Sequence, residues 1–426
     1  MLDIKFIREN PEIVKQAVAD KCLTVDIDHL LALDKEIIQT KQIMEAEAAK
    51  RNALSKEMAG ASPERREEIK ALSKQSGSLV SELTEKLNPL EEEFKALMAL
   101  TPTIPAPDVP KGKTDEDNVV IRQVGEKPVF DFEPLDHVEL MEKNGWADFT
   151  NIPKVCGTRT YAIKGELVQY EIALWQFTLN KLAAAGFTPI SVPSLTFEQA
   201  LYATGQFPFD KEAVYSLPKD NQYLAGTAEV ILNSIHAGEL LNEADLPIMY
   251  AGISPCFRRE AGSAGKDTRG LFRVHQFTKV EQYILCKADI AESEKMHQFI
   301  LNNTEEILQA LELPYQVVAC CTGDMGAGKY RMNDVETWSV SQQRYRETHS
   351  CSTLLDWQAR RTNLRYRNAQ TGKVEYAHTL NNTGLATPRV FVMLLENHQQ
   401  KDGSIRIPKA LQPYMGGKEF IGGFKK

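Results

Sequence analysis

The stretch PCFRREAGSAGKDTRGLFRVHQFTKVEQ, Pro255 to Gln282, decides how the chain is read. It leaves a β-like run (Pro247 to Ile253) through Pro255-Cys256-Phe257 and reaches Arg258-Arg259-Glu260. A loop carrying Gly262, Gly265 and Gly270 follows. The chain then returns in a second β-like run, Arg273 to Leu285, with His275, Phe277 and Glu281, just after Phe272. Alternation of polar and apolar residues predicts a strand–loop–strand hairpin with one wet and one dry face. Arginines on such a hairpin can grip phosphate oxygens through two parallel N–H donors, which lysine cannot do. An aromatic ring beside them can stack on a base. Taken singly, these residues are ordinary: an arginine pair is usually a surface feature, and Phe272 or Phe277 alone would be core.

Around this hairpin, residues 126–426 mix helices such as Val168 to Ala184 with short β-rich runs, among them Phe187 to Pro193 and Tyr315 to Ala319. Their order is irregular rather than a βαβα alternation, which predicts an α+β domain built on a largely antiparallel sheet. There is no internal repeat, no GxxxxGK[ST] loop and no GxGxxG after a strand. A nucleotide bound here is bound by neither of those common loops.

Residues 1–101 have another character. After a short helical start, Ile69, Leu72, Leu79, Leu83, Leu87, Leu90, Phe94 and Leu97 recur at steps of three, four or seven. Leu30, Leu33, Ile37, Met44, Ala48 and Met58 give a weaker version of the same seam. Gly60-Ala61-Ser62-Pro63 separates the two, with Ser62 placed to cap the second helix and Pro63 at its first position. Two helices of about 30 to 35 residues, each roughly 45 to 55 Å long, predict an antiparallel coiled-coil hairpin over about 27–98 that projects as an arm. Lys50, Arg51, Lys56, Arg65, Arg66, Lys70 and Lys74 gather towards its tip, interleaved with Glu57, Glu64, Glu67 and Glu68. The bland reading is a solvated charged face. The functional one is a surface for a phosphate backbone. Residues 102–125 read as a linker, because Pro102, Pro105, Pro107 and Pro110 favour an extended path.

Composition sets bounds without choosing a function. The chain has 426 residues, 42% hydrophobic and 25% charged, with a formal net charge of −8. A local basic face can still bind RNA on an acidic protein. The N-terminus MLDIKFIREN resembles neither a secretory nor a transit signal, and no run of about 18 apolar residues predicts a membrane span. Cys22, Cys156, Cys256, Cys286, Cys320, Cys321 and Cys351 form no CxxC pair. They are expected to be mostly buried, reduced thiols of a cytoplasmic protein, with no zinc site.

The hairpin stretch resembles motif 2 of the class II aminoacyl-tRNA synthetases, in the form typical of bacterial-type seryl-tRNA synthetases. Other segments agree. LAGTAEV contains Thr227-Ala228-Glu229, similar to the family's serine-binding triplet. Glu347 to Arg367, ETHSCS…DWQARRTNLRYR, resembles its ATP- and metal-binding segment, and His378 to Gln399 resembles motif 3, with Arg389 as its arginine. Pro193 in GFTPISVPSL stands where motif 1 keeps its proline, at the dimer interface. The tail IRIPKALQPYMGG fits too, so the resemblance covers the whole chain, arm included.

That resemblance implies an α+β class II catalytic domain with an N-terminal tRNA-binding helical arm. It implies a homodimeric, ATP- and Mg²⁺-dependent serine–tRNA ligase that converts L-serine and ATP to seryl-adenylate and pyrophosphate. Serine then passes to tRNA(Ser), and to tRNA(Sec) where the host has one. By the same resemblance, Arg258 and Arg389 are catalytic: Arg258 holds the α-phosphate and the serine carboxylate, and Arg389 the γ-phosphate. Arg259, Glu260, Phe277, Thr348 and His349 complete the ATP site, with Glu260 towards adenine and Phe277 stacked on it. Glu347 and Ser350 are the hard oxygen ligands for Mg²⁺. Thr227, Ala228, Glu229, Glu281, Asn381 and Thr383, together with Arg258, form the serine site. No general base is required of the protein, and positioning with charge neutralisation supplies the catalysis.

Several residues depart from the family's pattern. Thr348-His349 and Thr353-Leu354 replace more usual pairs, Asn382 and Pro388 stand where glycine is usual, and Thr383 replaces serine. Asn382 is expected in a turn needing positive φ, which asparagine tolerates, and Pro388 in the first turn of a helix. Two other classes of function compete with this reading. A paralogue charging a carrier protein would lack the long arm. A coiled-coil scaffold would leave the polar constellation of the second half idle.

Overall fold

The computed structural model describes residues 1–261, 267 and 269–424. Gly262 and Gly265 of the motif-2 loop lie outside the described residues. The chain forms two compact units, one of 1–19 and 23–102, the other of 20–22 and 103–426.

The first unit is a helical hairpin, α1 (Ile27–Glu57) and α2 (Pro63–Leu100), preceded by two short helices, Ile4–Glu9 and Pro11–Asp20. Asp26 caps α1 by accepting from the His29 N–H at 2.9 Å. Ser62 caps α2 by accepting from the Arg65 N–H at 3.3 Å, with Pro63 at its first position. The seam buries Leu30, Leu33, Ile37, Thr40 and Leu54 on α1, and Ile69, Ser76 and Leu87 on α2. Two expected seam positions are corrected. Leu79 and Ala48 are exposed. A strict three-four alternation from Ile69 runs through Ser76, Val80, Leu83 and Leu87, so Leu79 falls one residue off the stripe. Ser76 takes the seam place because its hydroxyl donates to the Glu47 carbonyl of α1 (3.3 Å).

The second unit holds an eight-stranded sheet flanked by helices. In chain order its elements are β1 (Val119–Val124), α3 (Glu166–Ala184), β2 (Thr188–Ser191), β3 (Ile248–Phe257), β4 (Gln276–Cys286), α4 (Ile290–Ala310), β5 (Tyr315–Ala319), β6 (Arg331–Ser339), β7 (Arg344–Leu355), β8 (His378–Ala386) and α5 (Thr387–His398). The sheet order is β1-β5-β6-β7-β8-β4-β3-β2, antiparallel except for the β2–β3 pair. The expected α+β class with an antiparallel sheet is what the chain adopts. Residues 102–125, read as a linker, belong mostly to this second unit and supply its edge strand β1.

The two faces of the sheet differ, as alternation requires. One face carries Val280, Ile284, Val317, Val335, Cys351, Leu380 and Leu385 against α3, α4 and α5, and this is the main core. The other face turns Phe277, Lys279 and Glu281 of β4, Ser350 and Ser352 of β7, and Asn381 and Thr383 of β8 into a cavity. A second, smaller apolar cluster includes Ala228, Leu232, Tyr283 and Leu285.

Five of the seven cysteines are buried, while Cys22 and Cys156 are exposed. Among the described residues no helix is long and apolar enough to cross a membrane.

Candidate active site

The cavity has a volume of about 530 Å³ and runs along β7, a size that suits a nucleotide and a small second substrate. Glu347 and Ser352 both line it. Their partners on β6, Glu336 and Met332, are four residues apart, a span of roughly 13 Å, so the site is a trough with two distinct ends. Register defines what meets at each. Ser352 pairs with Asn381, and Glu281 with Thr383, at one end. Phe277 lies at the start of β4, opposite Cys256, and Arg389 just beyond the end of β8, at the other.

At the Phe277 end, two arginines frame the ring-lined space. The Arg258 guanidinium carbon sits 5.4 Å from the Phe277 ring centre, and its Nε donates to the Gly226 carbonyl at 3.3 Å. Arg389 Nη1 is 3.0 Å from a Glu347 carboxylate oxygen, and its guanidinium carbon lies 4.9 Å from the Phe272 ring. Burial works against the Glu347 charge, but Arg389, with Arg258 and Lys329 nearby, holds its carboxyl below the usual range. Glu260 takes a left-handed backbone (φ 54°) and accepts from Arg273 Nη1 at 2.8 Å.

Glu347 reaches this face by a register break. Val335 pairs with His349 but Glu336 pairs with Glu347, which leaves Thr348 as an extra residue in β7. Without that bulge, strict alternation would put Glu347 and Ser350 on opposite faces; with it, both line the trough. The hydroxyl of Thr348 holds the bulge, 2.8 Å from the Thr337 hydroxyl and 2.9 Å from His349 Nδ1. Behind Ser350, its ladder partner Asp334 is buried, and burial together with the Glu347 charge raises its carboxyl above the ordinary range.

The other end is acidic and hydroxyl-bearing. Glu281 pairs closely with Lys279. Glu229 accepts from Gln358 Nε2 at 2.8 Å, and burial and the Glu281 charge raise its pKa. Thr227 Oγ1 accepts from the Glu229 N–H at 3.2 Å, which fixes the start of the helix Glu229–Ser234. Thr383 and Asn381 complete the floor, and Leu354 and Trp357 the wall.

Most of the residues singled out in the sequence therefore meet in one trough: Thr227, Glu229, Arg258, Glu260, Phe277, Glu281, Glu347, Thr348, Ser350, Asn381, Thr383 and Arg389. Three do not line it. Ala228 packs into the small apolar cluster beneath. Arg259 points away and donates to the Glu212 carbonyl (3.1 Å). His349 is buried under the bulge, where burial pushes its imidazole down to about 3 and keeps it neutral. Asn382 corrects another expectation. It lies within β8 rather than in a turn, and its side-chain amide donates to the Ile300 carbonyl (2.7 Å) and the Thr304 hydroxyl (2.9 Å) of α4. A glycine there would leave that helix carbonyl without this donor. Pro388 does sit in the first turn of α5. Sequence reading missed Lys279 and Lys329, both of which line the trough. The spacing Phe277, Lys279, Glu281 carried the signal for the first.

Residues 1–105 match the family model for the seryl-tRNA synthetase N-terminal domain, and residues 213–398 that for the class II tRNA synthetase core domain (G, H, P, S and T). A serine–tRNA ligase of Deinococcus radiodurans is 53% identical over 422 residues, 99% of each chain. The chain belongs to the seryl-tRNA synthetase family. Its class is that of the aminoacyl-tRNA ligases. Two solved seryl-tRNA synthetases superpose along the whole chain. That of Pyrococcus horikoshii, complexed with ATP, has a TM-score of 0.91 at 37% identity and full coverage of both chains. The cytoplasmic enzyme of Naegleria fowleri, in complex with AMP, has a TM-score of 0.88 at 28% identity, covering 100% of this chain and 99% of that one. Of the departures from the family's pattern, His349 and Asn382 lie beneath the trough, whereas Thr348, Thr383 and Pro388 are among the residues that line it.

Proposed function

We propose that this chain activates L-serine with ATP and transfers it to tRNA(Ser), and to tRNA(Sec) where that tRNA is present. The observation that carries the reading is the two-ended trough: arginines and an aromatic ring at one end, paired acids and hydroxyls at the other. In the first step a serine carboxylate oxygen attacks the α-phosphorus of ATP. The bond to pyrophosphate breaks, and seryl-adenylate forms. In the second a tRNA hydroxyl attacks the acyl carbon and AMP leaves.

Each lining residue has a physical task in this scheme. Phe277 stacks on adenine, with Glu260 at its edge. Arg258 neutralises the charge that builds at the α-phosphate, and Arg389 orients the departing pyrophosphate. Glu229 and Glu281 face the ammonium of serine, and Thr227, Asn381 and Thr383 surround its hydroxyl. A pocket that hydrogen-bonds this hydroxyl rejects alanine by leaving its own polar groups unpaired. Arg259, Ala228 and His349 act from behind the lining, by holding the loop, the helix start and the bulge.

Glu347 and Ser350 fit Mg²⁺, since the β7 bulge turns two hard oxygen donors towards the same space. When bound there the ion would neutralise phosphate charge.

The reading extends to the rest of the chain. Among the described residues Arg51, Lys56, Arg66 and Lys74 of the arm make no ion pair, whereas Arg65 and Lys70 are engaged with Glu57, Glu68 and Glu67. The free cations suit the backbone of a tRNA, contacted by charge and shape rather than by base reading. A cytoplasmic homodimer is part of the same proposal, in keeping with exposed Pro193, Leu195 and Phe197 after β2.

The test is serine-dependent exchange of pyrophosphate into ATP, run against threonine, alanine, glycine and cysteine, followed by charging of tRNA(Ser). Exchange with serine alone and subsequent transfer is the expected result. No exchange with any of the five would overturn the reading.

A further inference from the structure

Lys21 stands outside every motif of the sequence, yet it is one of the most buried charged residues of the chain, 3% exposed. It belongs to the compact unit that contains the trough. Its ammonium donates to three backbone carbonyls, those of Gly326 (3.1 Å), Ala327 (3.1 Å) and Lys329 (2.6 Å). That uses all three donors of the group. Among the described residues no carboxylate lies within ion-pair distance of it. Burial, and then the charge of Lys329, lower its pKa well below the ordinary lysine value. A desolvated ammonium is costly to bury, and here its whole return is the geometry of one four-residue segment.

Thr103 holds the same segment. Its N–H donates to the Ala327 carbonyl and its hydroxyl to the Gly328 carbonyl, both at 2.9 Å. Lys21 and Thr103 are close to the two chain positions where the helical arm, 23–102, is inserted into this unit.

The segment Gly326–Lys329 lines the trough, and register places it. Tyr330 N–H donates to the Thr353 carbonyl, and Arg331 pairs with Thr353. The backbone of the segment therefore abuts β7 beside Ser352 and Leu354, at the end with Asn381, while the Lys329 charge still acts on Glu347. Gly328 packs so tightly on Trp357 that a Cβ there would meet the indole at 2.6 Å. A shift of the segment is thus passed to the wall of that end.

We propose that Lys21, assisted by Thr103, is a positioning residue for the serine end of the trough: it fixes the backbone of Gly326–Lys329 from a distance of some three hundred residues in sequence. This rests on the reading of that end as the serine site.

The experiment uses the full chain and compares wild type with Lys21→Met and Thr103→Val in the pyrophosphate exchange assay, with KM measured for serine and for ATP and the thermal midpoint recorded. Lys21→Met nearly keeps the length of the side chain but removes the ammonium: the Lys329 carbonyl loses its Lys21 donor, while the Gly326 and Ala327 carbonyls keep only the N–H groups of Lys329 and Thr103. Its KM for serine should rise about tenfold, the size expected when a charged donor is removed, while KM for ATP changes less than about twofold. Thr103→Val removes only a hydroxyl and should shift KM for serine in the same direction by less. A fall in the thermal midpoint is expected of both roles; a purely structural role would raise both KM values together, and that result would overturn the proposal. Should Lys21→Met fail to fold, Thr103→Val decides alone. An unchanged serine KM in both variants, with normal exchange by wild type, overturns the clamp and leaves the serine reading standing. Absence of serine-dependent exchange in wild type removes the serine reading itself.

Discussion

Arg389 holds Glu347 twice: its Nη1 is 3.0 Å from the Glu347 carboxylate and donates to the Glu347 carbonyl at 3.1 Å. One guanidinium thus ties the first turn of α5 to the bulged segment of β7. With ATP present, the same group would turn towards phosphate oxygens, and Glu347 would be released towards Mg²⁺. Arg389→Gln should lower kcat/KM for pyrophosphate exchange by roughly 10² to 10³, as for loss of one preorganised charge-stabilising donor. Arg389→Lys should recover little, because an ammonium cannot offer a phosphate the two parallel N–H donors of a guanidinium. Steady-state exchange kinetics check both, and activity of Arg389→Gln within about threefold of wild type would count against the assigned role.

Thr383 pairs with Glu281 across the β4–β8 ladder, beside a register break at Gly384. Its methyl occupies space that a serine at this position would leave open. Thr383→Ser should therefore admit threonine better. The ratio of kcat/KM for serine over threonine should fall by about 10-fold, the scale of one methyl-sized space in a pocket. Competition in the exchange assay measures this directly. An unchanged ratio would show that threonine is excluded elsewhere in the pocket.

The motif-2 hairpin is legible in the sequence because strand alternation survives in it: Phe277, Lys279 and Glu281 face the trough, while Val280 packs into the core. The arm is legible because heptads repeat, although the leucine at 79 suggests a seam position where Ser76 and Val80 lie on the stripe. What alternation cannot reveal is where it breaks. The bulge at Thr348 reverses the facing of Glu347, and only strand pairing shows it. Asn382 escapes sequence reading for a related reason: its amide serves a carbonyl of α4, 82 residues away. Lys21 is illegible altogether, since a lone lysine near the N-terminus carries no sign of carbonyl partners more than 300 residues distant.

His297 of α4 is buried against β6 and β7, with its ring nitrogens 2.9 Å from the Thr353 hydroxyl and 2.8 Å from Asn333 Oδ1. Burial pushes its imidazole down to about 4, whereas in the unfolded chain it titrates at about 6.5. The unfolded state therefore binds the extra proton first as pH falls. Stability is full above about pH 6.5 and is lost towards pH 4, by up to about 3 kcal/mol from this residue. His297→Gln removes the titration. The variant should be less stable at neutral pH but lose less of its thermal midpoint between about pH 7 and pH 4.5. Equal losses in variant and wild type would mean that other groups set the acid sensitivity.

The arm should matter for the second step and not for the first. Arg51 and Arg66 are exposed on α1 and α2 and make no ion pair among the described residues. Their reversal to Glu leaves the helices' seam intact, since neither residue belongs to it. Serine-dependent exchange should then stay within about twofold of wild type. Charging of tRNA(Ser) should fall at least tenfold in kcat/KM, because each reversed charge replaces attraction to a phosphate by repulsion. The dependence of tRNA affinity on salt should also become shallower, by about 0.9 in the log–log slope for each phosphate that is no longer neutralised. Filter binding at several salt concentrations reads that slope. A uniform fall in exchange and charging would instead trace the effect to the catalytic unit, while an unchanged slope would place the tRNA backbone against other cations.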